Sequence, residues 1–173
     1  MILRNLMLKD VNLMLEWMHD REVVADLNTD FISKSYEDCI RFIKTSLNEL
    51  DNTHLAIVDN EDVYQGTVSL KNIGNYNAEF AIVIRTRAMG KGIGKQAMDE
   101  IIKIGFNKLK LHAIYWYVSL KNKRAIRFYE KNGYKSVTYD YIKSVIKKMD
   151  INNLYTYKWY YLTRDEWKDM QRG

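Results

Sequence analysis

The spacing of hydrophobic and polar positions changes period several times along the chain, and each change marks an element. A short run at Ile2 to Arg4 predicts an opening strand. Asp10 then stands where an N-cap belongs, ahead of Leu13, Met14, Trp17 and Met18 at helical spacing. A second helix is predicted from about Ser35. Ser35 with Asp38 three positions on is a variant capping box, and Cys39, Ile40, Phe42, Ile43 and Leu47 supply the apolar stripe behind it. Cys39 lies on that stripe with no base near it in sequence, so it reads as a small buried hydrophobe and not as a nucleophile.

The period then shortens to two. Runs at Leu55 to Val58, Val63 to Leu70 and Asn77 to Ile84 predict strands, joined by Asp59-Asn60-Glu61-Asp62 and by a turn containing Gly74-Asn75, as in an antiparallel meander. Beyond it the pattern predicts a helix from about Gly92 to Asn107, a strand from His112 to Val118, a helix from about Asn122 to Asn132 and a strand from Tyr134 to Thr138. Strand followed by helix followed by strand implies a crossover. The aromatic run Leu154 to Leu162 predicts a closing strand. Between the last two strands, Lys143, Lys147 and Lys148 with Val145 and Ile146 form a basic excursion to which no element is assigned. The expected architecture is α/β (α+β), a mixed, mostly antiparallel central sheet flanked by helices.

Composition narrows the picture. The 173 residues fit one domain spanning 1–173, and an apolar fraction of 47% with 13 tyrosines excludes a disordered chain. No apolar run approaches the roughly 20 residues a membrane-spanning helix needs. The N-terminus has no basic region followed by an apolar stretch and cleavage site, and Cys39 is the only cysteine. A cytoplasmic protein without a membrane partner is expected. The net charge of +5 says little by itself. Its distribution says more: Lys121, Lys123, Arg124, Arg127, Lys131 and Lys135 crowd one segment, which would attract phosphates or simply solvate a helix face.

Candidate chemistry lies where the last meander strand hands over to a helix, because unpaired amides at a helix start make an anion site. Arg85 to Lys95 occupies that junction. Alternating Gly90, Gly92 and Gly94 allow close backbone approach, and Lys91 and Lys95 add cations. A Walker loop is excluded, since Gly90 and Gly94 enclose three residues and Lys95 is followed by Gln96. A dinucleotide fingerprint fails as well: position 95 is not glycine, and the turn does not follow the first strand of a parallel unit.

What these residues resemble is the pyrophosphate loop of the GCN5-related N-acetyltransferase (GNAT) family, with Arg87, Gly90 and Gly92 at the motif positions. The stretch from Asn122 to Tyr134 is similar to a second block of that family, containing Asn122, a small Ala125, Tyr129, Gly133 and the aromatic Tyr134. Leu3-Arg4, Asp10, Trp17 and Asn77-Ala78-Glu79-Phe80 resemble the branch that includes ribosomal-protein and polyamine acetyltransferases. The resemblance implies a single GNAT-like domain that uses acetyl-CoA. It implies backbone amides of Arg87, Met89, Gly90, Lys91, Gly92, Ile93, Gly94 and Lys95 at the pyrophosphate, with main-chain bonds along Ile82, Val83 and Ile84 at the pantetheine. Asn122 would bond the pantetheine arm, and Arg124 and Lys131 are counted with the donor-binding residues. Tyr129 would sit near the thioester sulfur. Asn122 and Tyr129, about two helical turns apart, are expected to project from one face.

Tyr129 makes sense as a general acid, since a departing thiolate has a proton affinity near that of cysteine, about 8.5, against about 10 for a phenol. An alkylammonium acceptor also needs a base, and Glu79, at the start of the strand feeding the loop, is the candidate, directly or through water. His19, His54 and His112 are isolated, so no metal is expected. For the acceptor three classes remain open. Asp20, Glu22, Asp26, Asp30, Glu37 and Asp38 would suit a polyamine; Trp17 and Trp159, with the positive charge, would suit an amino sugar or amino-sugar nucleotide; a protein N-terminus or lysine is the third. A small-molecule amine is the expected partner, with no nucleic acid. The reading of another class is a non-catalytic module that holds coenzyme A or nucleic acid. A homodimer would form if the tail strand left an open edge.

Overall fold

The computed structural model of the protein describes residues 1–146 and 154–172. Strand β1 (Ile2–Asn5) leads to helices α1 (Val11–Met18), α2 (Arg21–Val24) and α3 (Tyr36–Ser46), then to the meander β2 (Thr53–Val58), β3 (Tyr64–Gly74) and β4 (Asn77–Ile84). Helix α4 (Ile93–Lys103) crosses to β5 (Ala113–Ser119), followed by α5 (Lys123–Lys131), β6 (Ser136–Val137), α6 (Tyr139–Ile142), β7 (Tyr157–Thr163) and α7 (Arg164–Met170). The strands form one sheet in the order β1-β2-β3-β4-β5-β7-β6. Only β4 and β5 run parallel, which is the crossover expected from the sequence.

Local chemistry explains most boundaries. Ser35 accepts from the Asp38 amide at 3.2 Å and the Asp38 carboxylate accepts from the Ser35 amide at 2.9 Å, so the capping box forms and starts α3. The β3–β4 hairpin closes through Asn75 and Tyr76, both with positive φ (48° and 60°), the two-residue turn whose twist matches the strands it joins. Helix α4 ends in a π-type turn over Ile104–Lys108.

Some expectations change. Asp10 does not cap α1: it is already helical, closing a short 3-10 turn, and its carboxylate accepts from the Met7 amide at 2.9 Å and from the Arg4 guanidinium at 2.8 Å. A buried carboxylate with an arginine in reach gains more from that bidentate pair than from a cap. The strand expected from Tyr134 to Thr138 shrinks to Ser136–Val137, because Gly133 (φ 82°) and Tyr134 are taken up in ending α5. The closing strand begins at Tyr157, after a 3-10 turn over Leu154–Thr156. It is not an open edge along its length, since β6 pairs with Trp159 and Tyr160. Helices α2, α6 and α7 are too short for periodicity to reveal. Lys147 and Lys148 of the basic excursion lie outside the described residues.

Two cores cover the two faces of the sheet. On one face, α4 and α5 pack over Val68, Leu70, Ala78, Phe80, Ile114, Trp116, Tyr160 and Leu162. On the other, α1, α2 and α3 cover Ala56, Val58 and Tyr64, and the buried Cys39 belongs to this core. Strand alternation therefore sends Phe80, Ile82 and Ile84 of β4 toward α4 and α5, and Glu79, Ala81 and Val83 toward the first helices. Among the described residues no helix is long and apolar enough to cross a membrane.

Candidate active site

The parallel pairing of β4 with β5 covers only Asn77, Ala78 and Glu79, opposite Ala113, Ile114 and Tyr115. Beyond Glu79 the strands part, although β4 continues to Ile84 and β5 to Ser119. A strand that has lost its neighbour keeps alternate backbone amides and carbonyls on its open side. An open cleft of about 470 Å3 occupies the splay, lined by Ile82, Val83 and Ile84 on one wall and by α5 on the other.

At the mouth of this cleft the chain turns from β4 into α4. Arg85 is buried and fixes the turn, with its guanidinium bidentate on Glu16 at 2.9 Å and donating to the Tyr64 carbonyl at 2.9 Å. Gly90 and Gly92 both have φ of 75°, a left-handed conformation that costs other residues dearly, and Gly92 is the N-cap of α4. The first turn of α4 begins without any capping side chain, so the amides of Ile93, Gly94 and Lys95 have no acceptor within the helix. They form the positive end of an 11-residue helix.

The expected residues divide cleanly. Ile82, Val83, Ile84, Met89, Gly90, Gly92, Gly94, Lys95, Asn122, Arg124, Tyr129 and Lys131 all line the cleft. Arg87 and Lys91 are exposed beside it, with no side-chain hydrogen bond or ion pair among the described residues. Ile93 turns its side chain into the core and offers only its amide. Asn122 is the N-cap of α5 and not part of the helix. Its Oδ1 accepts from the Ala125 amide at 3.0 Å, which leaves the amide NH2 as the group available to the cleft. Lys95 is ion-paired with Asp99, and the Arg124 guanidinium reaches across the mouth to the Met89 sulfur at 2.9 Å.

Tyr129 is 6% exposed, packed against Trp116, Phe128 and Tyr160 with ring centroids 5.1–5.4 Å away. Its hydroxyl makes no hydrogen bond within the described protein. Burial, reinforced by the neighbouring Tyr160 and Tyr134 hydroxyls, pushes this phenol well above its ordinary value. It therefore stays protonated at any working pH. The free-protein mismatch with a thiolate is also wider than the ordinary values suggest, and narrows only because a thiolate in the same dry cleft would be raised too.

Glu79 does not line the cleft. It is 5% exposed, on the opposite face from Tyr129, at the point where β4 and β5 separate. Lys71 Nζ lies 2.6 Å from Oε1, and the Asn72 side-chain amide donates to Oε2 at 3.1 Å. Tyr129 thus lines the cleft, while the Glu79 carboxylate lies buried on the other face of the sheet.

The lining residues that sequence reasoning missed are Val23, Leu27, Ala88, Ala125, Phe128 and Asn132. Ala125, Phe128 and Asn132 fall on the helical stripe of Tyr129, and its periodicity was the signal for them. Val23 and Leu27 reach the cleft from the α2 region by tertiary folding alone. The stacking surfaces expected of the two tryptophans are absent. Trp17 is 4% exposed, donating to the Tyr64 hydroxyl at 2.9 Å, and Trp159 is 2% exposed, donating to the Leu154 carbonyl. Both are core residues because an indole buried with its N–H satisfied stabilises more than one left in water. Half of the acidic set is also tied up locally: Asp20 accepts from the Glu22 amide and the Thr86 hydroxyl, Asp30 from the Ser33 amide, and Asp38 from the Ser35 amide.

Comparison with known proteins agrees with this geometry. A model of the acetyltransferase (GNAT) domain matches residues 1–135. The chain is 25% identical over 126 residues to the acetyltransferase PseH of Campylobacter jejuni, covering 73% of this chain and 77% of that protein. It is 29% identical over 133 residues to the spermidine N(1)-acetyltransferase of Vibrio cholerae, covering 69% and 76%. The crystal structure of Vibrio cholerae spermidine N-acetyltransferase in complex with CoA and spermine superposes with a TM-score of 0.78 at 22% identity, over 96% of this chain and 97% of that one. With the domain model spanning about three quarters of its length, the chain belongs to the GNAT acetyltransferases, enzymes whose acetyl donor is acetyl-CoA.

Proposed function

We propose that this protein transfers the acetyl group of acetyl-CoA to the primary amine of a small molecule, by direct attack in a ternary complex. The observation that carries the reading is the continuity of three features in one cleft: a helix start with free amides behind two left-handed glycines, a splayed β4 edge, and the unpartnered Tyr129 hydroxyl.

The residues fit the donor at both ends. The amides of Gly92 to Lys95, with Arg87, Lys91, Arg124 and Lys131 around them, suit a pyrophosphate and its counter-charge. The open edge of Ile82 to Ile84 suits the amide-bearing pantetheine arm, with the Asn122 NH2 facing it. The acceptor nitrogen adds to the thioester carbonyl, the C–N bond forms and the C–S bond breaks. Tyr129 gives its proton to the leaving thiolate, and the proton lost by the amine passes to Glu79, directly or through water. Glu79 remains able to accept although both oxygens are engaged, because each carboxylate oxygen has a second lone pair. A cytoplasmic setting belongs to this reading, in keeping with the unpaired thiol of Cys39. So does a homodimer, for which the part of the β7 edge not covered by β6 is the place a second copy would add a strand.

Release of free thiol from acetyl-CoA, followed across amino sugars, amino-sugar nucleotides, polyamines and N-terminal peptides, tests the proposal. Turnover with a small amine is expected. Turnover confined to peptides would overturn the small-molecule acceptor, and coenzyme A binding without turnover on any amine would overturn acetyl transfer itself.

A further inference from the structure

Met89 follows the short 3-10 turn Thr86–Ala88 at the mouth of the cleft, in an extended conformation whose amide is held by the Thr86 carbonyl at 3.2 Å. Its side chain is half-buried and lines the cleft. Across the mouth, Arg124 in the first turn of α5 donates to its sulfur at 2.9 Å. The Asp20 carboxyl, at the N-cap of α2, is held below its ordinary range chiefly by the Thr86 hydroxyl and also by the Arg124 charge. Helix α5, the turn between β4 and α4 and the start of α2 thus meet in one clasp beside the glycine turn.

The clasp joins a strong donor to a weak acceptor. A thioether sulfur accepts poorly, so the guanidinium leaves it at little cost when a phosphate offers charged oxygens. That ease depends on the sulfur staying reduced. A sulfoxide is polar where the thioether was apolar, and its oxygen accepts a charge-assisted bond that holds the arginine in place. The open cleft gives an oxidant access to Met89, whereas Met14, Met18 and Met98 are shut in the cores. Met7 and Met170 are exposed but line no part of the cleft.

We infer that Met89 is a site of reversible oxidation by peroxide, whose sulfoxide locks the Arg124 clasp and keeps acetyl-CoA out of the cleft. The inference rests on the reading of this cleft as the donor site. In the step, the Met89 sulfur gives an electron pair to one peroxide oxygen; the S–O bond forms, the O–O bond breaks, and the other oxygen takes up the proton and leaves as water. Sulfur is oxidised by two electrons and the peroxide is reduced by two. A methionine sulfoxide reductase reverses the change with two thiols, which leave as a disulfide while the oxygen leaves as water. Bound donor covers Met89, so the free protein is open to oxidation and the loaded protein is shielded.

The experiment treats the protein with hydrogen peroxide, with and without acetyl-CoA, locates sulfoxides by peptide mass spectrometry and measures the acetyl-CoA Kd by calorimetry once the peroxide is removed. Met89 of the free protein is expected to oxidise, and acetyl-CoA to protect it. Oxidation is expected to raise the Kd about tenfold, with recovery after reductase and dithiothreitol. Met89→Leu is expected to show one Kd before and after peroxide, while the double variant Met7→Leu with Met170→Leu keeps the full response. Arg124→Ala starts weaker and is expected to lose nothing further, since the sulfoxide then has no guanidinium to hold. An oxidised Met89 with an unchanged Kd overturns the inference and leaves acetyl transfer standing. So does a Met89 that stays reduced while Met7 and Met170 oxidise, and so does an Arg124→Ala protein that weakens on oxidation as much as the wild type. Acetyl-CoA that binds without shielding Met89 overturns the reading of this cleft as the donor site, and the inference with it. No binding of acetyl-CoA by the unoxidised protein overturns acetyl transfer as well.

Discussion

Tyr129 and Tyr160 stand side by side in the same core, yet their hydroxyls meet opposite fates. The Tyr129 hydroxyl opens toward the cleft, whereas the Tyr160 hydroxyl is fully buried with no partner in the described protein, as is the Trp116 indole N–H. In the proposed reaction, removing the first oxygen removes a proton donor; removing the second removes a desolvation cost. Tyr129→Phe is expected to lower turnover on the order of a hundredfold with an unchanged acetyl-CoA Kd, in single-turnover and binding measurements. Tyr160→Phe is expected to leave thermal stability equal or higher, by up to about 1 kcal/mol, since the ring contacts with Trp116 and Tyr129 are kept. A clear loss of stability in Tyr160→Phe would show that this hydroxyl is satisfied in solution.

At the scale of elements, the junction between β4 and α4 depends on backbone conformations that only glycine adopts without strain. Gly92 holds the left-handed N-cap, and a Cβ there would meet open space, so backbone conformation and not crowding makes glycine necessary. Gly94 is different: its φ is ordinary and a Cβ would touch Phe128 at 3.6 Å, normal contact distance. Gly92→Ala is expected to cost about 1–2 kcal/mol and to weaken coenzyme A binding by misaiming the amides of the first turn. Gly94→Ala is expected to be neutral or slightly stabilising in a melt, because alanine is the better helix former. Equal melting temperatures for the two variants would refute this assignment of strain.

Stability of the whole molecule should depend on pH at both extremes. The Asp20 carboxyl is held below the ordinary 3.8, chiefly by the Thr86 hydroxyl, Asp38 by the Ser35 amide and hydroxyl, and Asp62 by Lys9 and Arg4. A depressed folded value means the unfolded chain binds protons first. This contribution is complete above about pH 5 and is lost as pH falls through 3.8 and below. Buried tyrosines act at the other end. Tyr117 and Tyr160, each pushed up to about 12 by burial, keep protons that an unfolded chain releases near 10, so stability declines as pH rises past that value. Melting temperatures measured from pH 3 to pH 11 are expected to form a plateau between these limits. A melting temperature unchanged down to pH 3 would remove the aspartate contribution.

The amino-acid sequence by itself determined the meander, the crossover, the capping box at Ser35 and the glycine turn, because each rests on a local cause: side-chain period, a short hydrogen bond, or a φ that only glycine adopts readily. It also determined the α5 wall of the cleft, whose lining follows helical spacing from Ala125 to Asn132. Only the tertiary structure decided which faces those elements present. Asp10 chose Arg4 over a helix amide because folding brought a guanidinium within reach. Trp17 and Trp159 became core because Tyr64 and the Leu154 carbonyl satisfied their indoles. Val23, in α2, and Leu27, just beyond it, reached the cleft from a part of the chain distant in sequence. Above all, the parting of β4 from β5 after Glu79 opened the cleft that Tyr129 lines, while the Glu79 carboxylate, held by Lys71 and Asn72, stayed buried on the opposite face of the sheet. No spacing along the chain encodes that separation, since it depends on where two strands far apart in sequence stop pairing.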